Sequence, residues 1–224
     1  MGIITALEVQ KRNKKRVNVF VDDDYAFSLS LDEAARLHKG QTLSDAEIAA
    51  LIEQSAITAA TDSAARFMAM RPRSAYEVRQ NLMRKQTPPP VIDAVLEKLN
   101  EFGYIDDRAF AELWVRDRTT FKPTSPRALR YELRQKGISD SIIDAVLTEL
   151  DADDAAYRAA QSQVRRLRGV DRREFRTKVS TLLQRRGFSY DVIRATTRRL
   201  FEELDAESPD FFAGDSEDDD DIPE

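Results

Sequence analysis

Apolar and polar positions recur with two different periods along this chain. Near the start the period is two. Val17, Val19 and Val21 alternate with Asn18 and Phe20, and Ile3, Thr5, Leu7 and Val9 alternate less cleanly with Ile4, Ala6, Glu8 and Gln10. That is the pattern of half-buried strands. Arg12-Asn13-Lys14-Lys15 and Asp22-Asp23-Asp24 read as the turns, and Tyr25 to Leu29 as a third strand with Phe27 and Leu29 on one side. The expectation is a small antiparallel meander that docks on or caps a helical remainder. Leu31 to Leu37 reads as a short helix with Gly40 past its end. Ser44, followed by Asp45 and Glu47, caps another that runs into Ile48, Leu51 and Ile52.

From about Ala60 the period becomes helical throughout. A helix through Ala64, Phe67 and Met68 ends before Pro72, because proline disfavours helix at the residue before it. Ser74 and Glu77 form a capping-box pair for the next helix, whose apolar face is Val78 and Leu82. Pro88-Pro89-Pro90 opens a third, where missing amide donors cost least, and Val91, Ile92, Val95, Leu96 and Leu99 form its stripe. The same three-helix cycle follows twice more. Phe110, Leu113, Trp114 and Phe121, then Leu129 and Leu133, then Ile142, Ile143, Val146, Leu147 and Leu150 line the second. Tyr157, Val164 and Leu167, then Phe175, Val179 and Leu183, then Val192, Ile193 and Leu200 line the third.

The cycles are copies. Val91-Ile92-Asp93-Ala94-Val95-Leu96 returns 51 positions later as Ile142-Ile143-Asp144-Ala145-Val146-Leu147. Leu82-Met83-Arg84-Lys85-Gln86 returns as Leu133-Arg134-Gln135-Lys136-Gly137 and again as Leu183-Gln184-Arg185-Arg186-Gly187. A fixed period of this size marks a supersecondary unit stacked on copies of itself, an architecture that binds large partners along its length.

Composition narrows the function classes. The 224 residues include no cysteine and one histidine, His38, so disulfides, thiolate metal sites and multi-imidazole sites are excluded. No apolar run approaches the roughly 18–20 residues of a membrane span, and the start of the chain lacks a secretory pattern; a cytoplasmic protein is expected. There is no GxxxxGK[ST] or GxGxxG loop, and Asp22-Asp23-Asp24 lacks the glycine and distant glutamate of a calcium loop. No enzymatic activity, cofactor or metal is expected.

The net charge of −5 hides an asymmetry. Residues 202–224 hold 12 acidic and no basic side chains, whereas 155–201 hold 13 basic against 3 acidic. Single arginines read as solvated helix faces; the collective bias points to a polyanion or an acidic protein surface as partner.

Several motifs resemble the RecX family of recombinase regulators. They are Arg71-Pro72-Arg73-Ser74 with Glu77-Val78 and Leu82; Leu99 with Phe102-Gly103-Tyr104-Ile105-Asp106-Asp107; Phe110-Ala111 with Trp114-Val115; and Leu129 with Glu132-Leu133, Lys136-Gly137-Ile138. The resemblance implies a mainly α fold: three tandem three-helix repeats in a curved elongated array, preceded by a small N-terminal antiparallel β meander. The divisions are 1–57 for the meander and short helices, 58–105, 106–151 and 152–204 for the repeats, and 205–224 for a disordered acidic tail. It further implies a protein that binds the RecA recombinase, chiefly its filament on DNA, and modulates recombination and co-protease activities, usually by inhibition; a monomer that touches single-stranded DNA more weakly is also expected. The alternative is a general DNA-binding protein that competes for single-stranded DNA. Two connections depart from the family pattern: Gln86-Thr87-Pro88-Pro89-Pro90 and Lys122-Pro123-Thr124-Ser125-Pro126. The acidic tail departs from it too.

The aromatics Phe102, Tyr104, Phe110 and Trp114 read as core, because large rings at helical spacing dominate burial. Gly103, Gly137 and Gly187 read as left-handed helix ends. The candidates for partner or DNA binding are basic: Arg71, Arg73, Arg84 and Lys85; Arg130, Arg134 and Lys136; Arg165, Arg166, Arg168, Arg172, Arg173, Arg185 and Arg186. Lys85, Lys136 and Arg186 hold equivalent repeat positions, so a basic stripe is expected.

Overall fold

The computed structural model describes residues 1–213, and they fall into two compact units, Met1–Asp106 and the residues from Asp107 onward.

The first unit opens with a four-stranded antiparallel sheet. Strands β1 (Gly2–Val9), β2 (Arg16–Val21), β3 (Asp24–Ser30) and β4 (Thr42–Leu43) lie in the order β3-β2-β1-β4. The expected meander is present; the fourth strand, only two residues long, has no periodicity to betray it. Alternation buries Ile4, Val17, Val19, Phe27 and Leu29 on one face, joined by Leu43. Helix α1 (Leu31–Ala34) starts in a capping box between Ser30 and Glu33.

Helix α2 (Asp45–Met68) runs 24 residues without a break. Two helices were expected here, with a division at 57/58. No glycine or proline lies between Asp45 and Met68, and the segment is alanine-rich, so nothing local ends the helix. It serves both layers. Near its middle Ser55 donates to the Ser28 carbonyl and accepts from Arg16, itself bonded to the Ser28 carbonyl at 2.7 Å, which fastens the helix to the sheet. Further on, Ala60 and Ala64 enter the core of the first repeat. That core continues through Val78 and Leu82 of α3 (Ala75–Arg84), Val91, Ile92, Val95 and Leu99 of α4 (Pro89–Glu101), and Ile105.

Phe102 and Tyr104 are 66% and 71% exposed, which corrects their reading as core. Helix α4 stops at Phe102, Gly103 takes a φ of 68°, and the amides of Tyr104 and Ile105 donate back to the Leu99 carbonyl. This left-handed turn sends Ile105 inward and both rings outward.

The second unit holds α5 (Asp107–Phe121), α6 (Pro126–Gln135) and α7 (Asp140–Leu147), then α8 (Ala152–Val164), a single 3-10 turn (Arg165–Leu167), α9 (Arg172–Arg185) and α10 (Tyr190–Glu207). Phe110, Ala111, Leu129, Leu133, Ile138, Ile143 and Leu147 form the second repeat's core. Phe121, expected on that face, is the last residue of α5 and is 80% exposed. Trp114 packs at the core's edge only half-buried. Its place there is fixed by polar partners rather than by full burial.

The second and third repeats meet end to end. Ser125 caps α6, accepting from the Ala128 amide, and also donates its hydroxyl to the Gly187 carbonyl at 2.7 Å. Its amide donates to the Arg186 carbonyl, and the Arg186 guanidinium donates to the Pro123 carbonyl at 2.9 Å. The C-terminus of α9 is thereby seated on the N-terminus of α6, with three hydrogen bonds across the joint.

Order extends past the expected boundary at 205. Helix α10 continues to Glu207, and residues 208–213 return along the third repeat. Gly169 donates to the Phe211 carbonyl and Ala213 to the Val170 carbonyl. Phe211 is buried, and Phe212 packs against Phe175 and Phe201 at ring separations of 5.3 and 5.4 Å. The acidic composition masked these two aromatics. The rest of the expected tail, 214–224, lies outside the described residues.

Candidate functional site

The repeat register assigns a role to each basic side chain. Leu82, Leu133 and Leu183 are equivalent, and all three are fully buried. Lys85, Lys136 and Arg186, three residues on, are the C-caps of α3, α6 and α9. All three are engaged within the fold. The Lys85 ammonium donates to Ser63 at 2.5 Å, Lys136 sits 5.1 Å from the Trp114 ring centre, and Arg186 holds the joint to Pro123. Partial burial lowers the pKa of Arg186.

Trp114 and Ser63 are themselves equivalent, 51 positions apart. In the second repeat the indole N–H donates to Glu132 at 2.8 Å, Arg118 donates to the same carboxylate oxygen at 2.8 Å, and the Arg118 guanidinium lies 4.4 Å from the ring centre. Phe110 stacks on the ring at 5.9 Å. The indole is thus held by one carboxylate, two cations and one phenyl ring.

Of the other expected residues, Arg71 chelates Glu77, and Arg73 lies over Phe67 at 3.9 Å with its Nε buried and unbonded among the described residues. Desolvation and the neighbouring charge of Arg71 lower the Arg73 pKa. Arg134 donates to Asp140 at 2.7 Å, which lowers the Asp140 pKa. Arg172 pairs with Asp205 at 2.6 Å and lies over Phe201 and Phe212. Arg84, Arg165, Arg166, Arg168, Arg173 and Arg185 are exposed and make no ion pair among the described residues.

One contrast between repeats was legible but missed. Arg79 pairs with Asp93 at 2.7 Å and Arg130 with Asp144 at 2.5 Å, the same α3–α4 and α6–α7 contact in each repeat. The third repeat has Ser180 and Arg194 at these positions. The acid becomes a base and the pair disappears. Helix α9 also starts four residues earlier than its counterparts relative to the equivalent leucine, and that extra turn carries Arg172 and Arg173. Among the described residues, Arg173 and Arg194 of the third repeat make no ion pair, whereas the second repeat holds the Arg130–Asp144 pair at the position of Arg194.

An open groove of about 410 Å³ between α5 and α7 is lined by Arg108, Glu112, Val115, Arg116, Val146 and Glu149 among others. No cluster of metal-ligating side chains occurs among the described residues, and no described helix is long and apolar enough to cross a membrane.

A strand-rich N-terminal segment followed by tandem three-helix repeats defines a repeat protein with its charge on the surface. The comparisons make this specific. Residues 2–44 match the regulatory protein RecX N-terminal domain, and 60–99, 106–147 and 151–196 match the first, second and third three-helix domains of RecX. The chain is 35% identical over 214 residues to regulatory protein RecX of Bacillus subtilis (strain 168), covering 93% of this chain and 81% of that one. It is 34% identical over 210 residues to its namesake in Lactobacillus delbrueckii subsp. bulgaricus (strain ATCC BAA-365 / Lb-18), covering 92% and 77%. A crystal structure of regulatory protein RecX superposes with a TM-score of 0.67 at 30% identity, covering 88% of this chain and all of that one. The structure of RecX from Lactobacillus salivarius shares the fold, with a TM-score of 0.56 over 66% of this chain and 97% of its own at 23% identity. The chain belongs to the RecX family of regulatory proteins.

Proposed function

We propose that this protein binds the RecA recombinase filament on DNA and modulates, by inhibition, its recombination and co-protease activities. The third repeat meets the polyanionic side of that assembly. The observation that carries the reading is the loss of the repeated Arg–Asp pair in the third repeat. Asp93 and Asp144 give way to Arg194, and Arg165, Arg166, Arg168, Arg173 and Arg185 of the same repeat make no ion pairs among the described residues. Paired guanidiniums present little net charge to a phosphate; unpaired ones release counterions when a phosphate arrives.

Co-sedimentation with RecA filaments on single-stranded DNA, with and without the nucleotide that holds the filament together, tests the reading. The protein should pellet with filaments and inhibit well below one copy per recombinase subunit. Neutralising Arg173, Arg185 and Arg194 to Gln should weaken pelleting more than tenfold, while the same change at Arg79 and Arg130 should have a much smaller effect. The second reading, competition for single-stranded DNA, is favoured by the same unpaired cations. It predicts inhibition that vanishes when excess DNA is supplied, and that result would replace the first reading.

A further inference from the structure

The connection between β1 and β2 has no role in the core or in the repeats. It is Lys11-Arg12-Asn13-Lys14-Lys15, four cations in five residues. All five are exposed, and none of the four cations makes an ion pair among the described residues. The next residue, Arg16, is different in kind: it turns inward to Ser28 and Ser55 and fastens α2 to the sheet.

The tip is built. The Arg16 amide donates to the Asn13 carbonyl at 3.0 Å, and the Lys15 amide donates to the Asn13 side-chain oxygen at 3.1 Å. Gln10 closes the ladder below, its amide donating to the Arg16 carbonyl and its side chain to Asn18 at 2.7 Å. The Leu31 amide donates to the Lys15 carbonyl, tying the turn to the start of α1. The carboxylates placed nearest along these connections, Glu8 and Asp32, are exposed and pair with none of the four cations. The result is a braced turn at the end of the sheet, flanked by β3 on the β2 side, that carries uncompensated positive charge.

The chemistry of the tip selects its partner. Lysine is depleted at the centres of protein interfaces, which are anchored by aromatic and other apolar groups; the five tip residues include none. Single-stranded nucleic acid is held by stacking on aromatic side chains, which the tip also lacks. A sugar–phosphate backbone needs only cations and amides, and a duplex presents it at about twice the charge density of a single strand. We infer that the β1–β2 hairpin is a sequence-independent contact for the phosphates of double-stranded DNA. This goes beyond the filament reading and does not depend on it.

The test uses the full chain and contains no recombinase. Binding to a duplex and to a single strand of equal length is measured over a range of salt concentrations. The comparison is between the natural chain and the variant Lys11→Gln, Arg12→Gln, Lys14→Gln, Lys15→Gln. Four lost phosphate contacts should flatten the slope of log K against log salt on duplex by about 3–4 and weaken binding more than tenfold at low salt. A control variant removes the same charge from Arg36, Lys39, Lys98 and Lys122, all exposed, and should change the slope much less. An unchanged duplex slope, an equal change in the control, or a larger change on single strands overturns the inference. A second readout does not rely on that variant. The chain has no cysteine, so Arg12→Cys accepts a single environment-sensitive dye. Its emission should shift when duplex is added, and no shift at saturation overturns the proposal.

Discussion

At the scale of single residues, the repeat makes its own controls. Gly137 and Gly187 turn the chain after α6 and α9 at φ values of 75° and 83°, and the first repeat does the same with Gln86 at 60°. A side chain in this left-handed region costs about 1–2 kcal/mol, partly offset by the entropy a glycine would lose on folding. Gln86→Gly should therefore stabilise the protein by about 0.5–1 kcal/mol, read as a higher urea midpoint. A lower midpoint would mean that the Gln86 side chain contributes a contact of its own. Trp114 is the only tryptophan, so its emission reports its site directly. Trp114→Phe keeps the ring but leaves Glu132 with Arg118 alone, and should cost about 1–2 kcal/mol for a lost hydrogen bond to a charged group. Trp114→Ala should cost about 2–4 kcal/mol, somewhat less than a fully buried ring. If both variants kept native stability but lost filament pelleting, the indole would be an interface anchor instead.

At the scale of elements, helix ends carry the specificity. The left-handed turns after α4 and α9 look alike in sequence, but their surroundings differ. A Cβ on Gly103 would meet nothing within 4 Å, whereas one on Gly187 would come within 2.8 Å of the Ala128 Cβ and 2.9 Å of the Ser125 Oγ. Gly103→Ala should cost about 1–2 kcal/mol, the backbone strain alone. Gly187→Ala must also push α9 away from α6, and should cost about 1–3 kcal/mol more. Thermal unfolding of the two variants side by side checks this. Equal losses would show that the joint between the second and third repeats yields without cost. The same joint accommodates both Pro123 and Pro126. Pro126 takes the first position of α6, and the Pro123 carbonyl is an acceptor for Arg186.

At the scale of the whole molecule, several carboxylates hold folded pKa values below their ordinary range. Glu47 accepts from the amide and hydroxyl of Ser44, Asp140 from Arg134, and Glu203 from the Tyr157 hydroxyl and from Arg199. A depressed carboxylate pKa contributes stability that is present above the unfolded value, near 3.8 for Asp and 4.5 for Glu, and lost as pH falls through the folded value. Stability should therefore stay level on this account from pH 7 to about 5 and decline below about 4. Combining Glu47→Gln, Asp140→Asn and Glu203→Gln should flatten that decline, measured as urea midpoints at pH 7 and pH 3. An unchanged pH dependence would assign it to other carboxylates.

Much of this molecule was legible from residue order alone. The strands β1 to β3, the helical cycle from Ala60 to Leu200 and its 51-residue repeat all follow from spacing, because strand and helix present one face every two or 3.6 residues. The left-handed ends at Gly103, Gly137 and Gly187 follow from glycine's freedom at positive φ. Even the charge reversal at Arg194 is visible once the repeats are aligned. Tertiary structure alone decided how each cation is used. Lys85, Lys136 and Arg186 occupy one repeat position but reach a hydroxyl, an indole and a carbonyl, since their partners come from other helices and the last from another repeat. It also decided that Phe102 and Tyr104 face outward after a reversing turn, and that Phe211, amid acidic residues, folds back onto a core. Periodicity records which face of an element is apolar; it holds no information about what a distant part of the chain brings against that face.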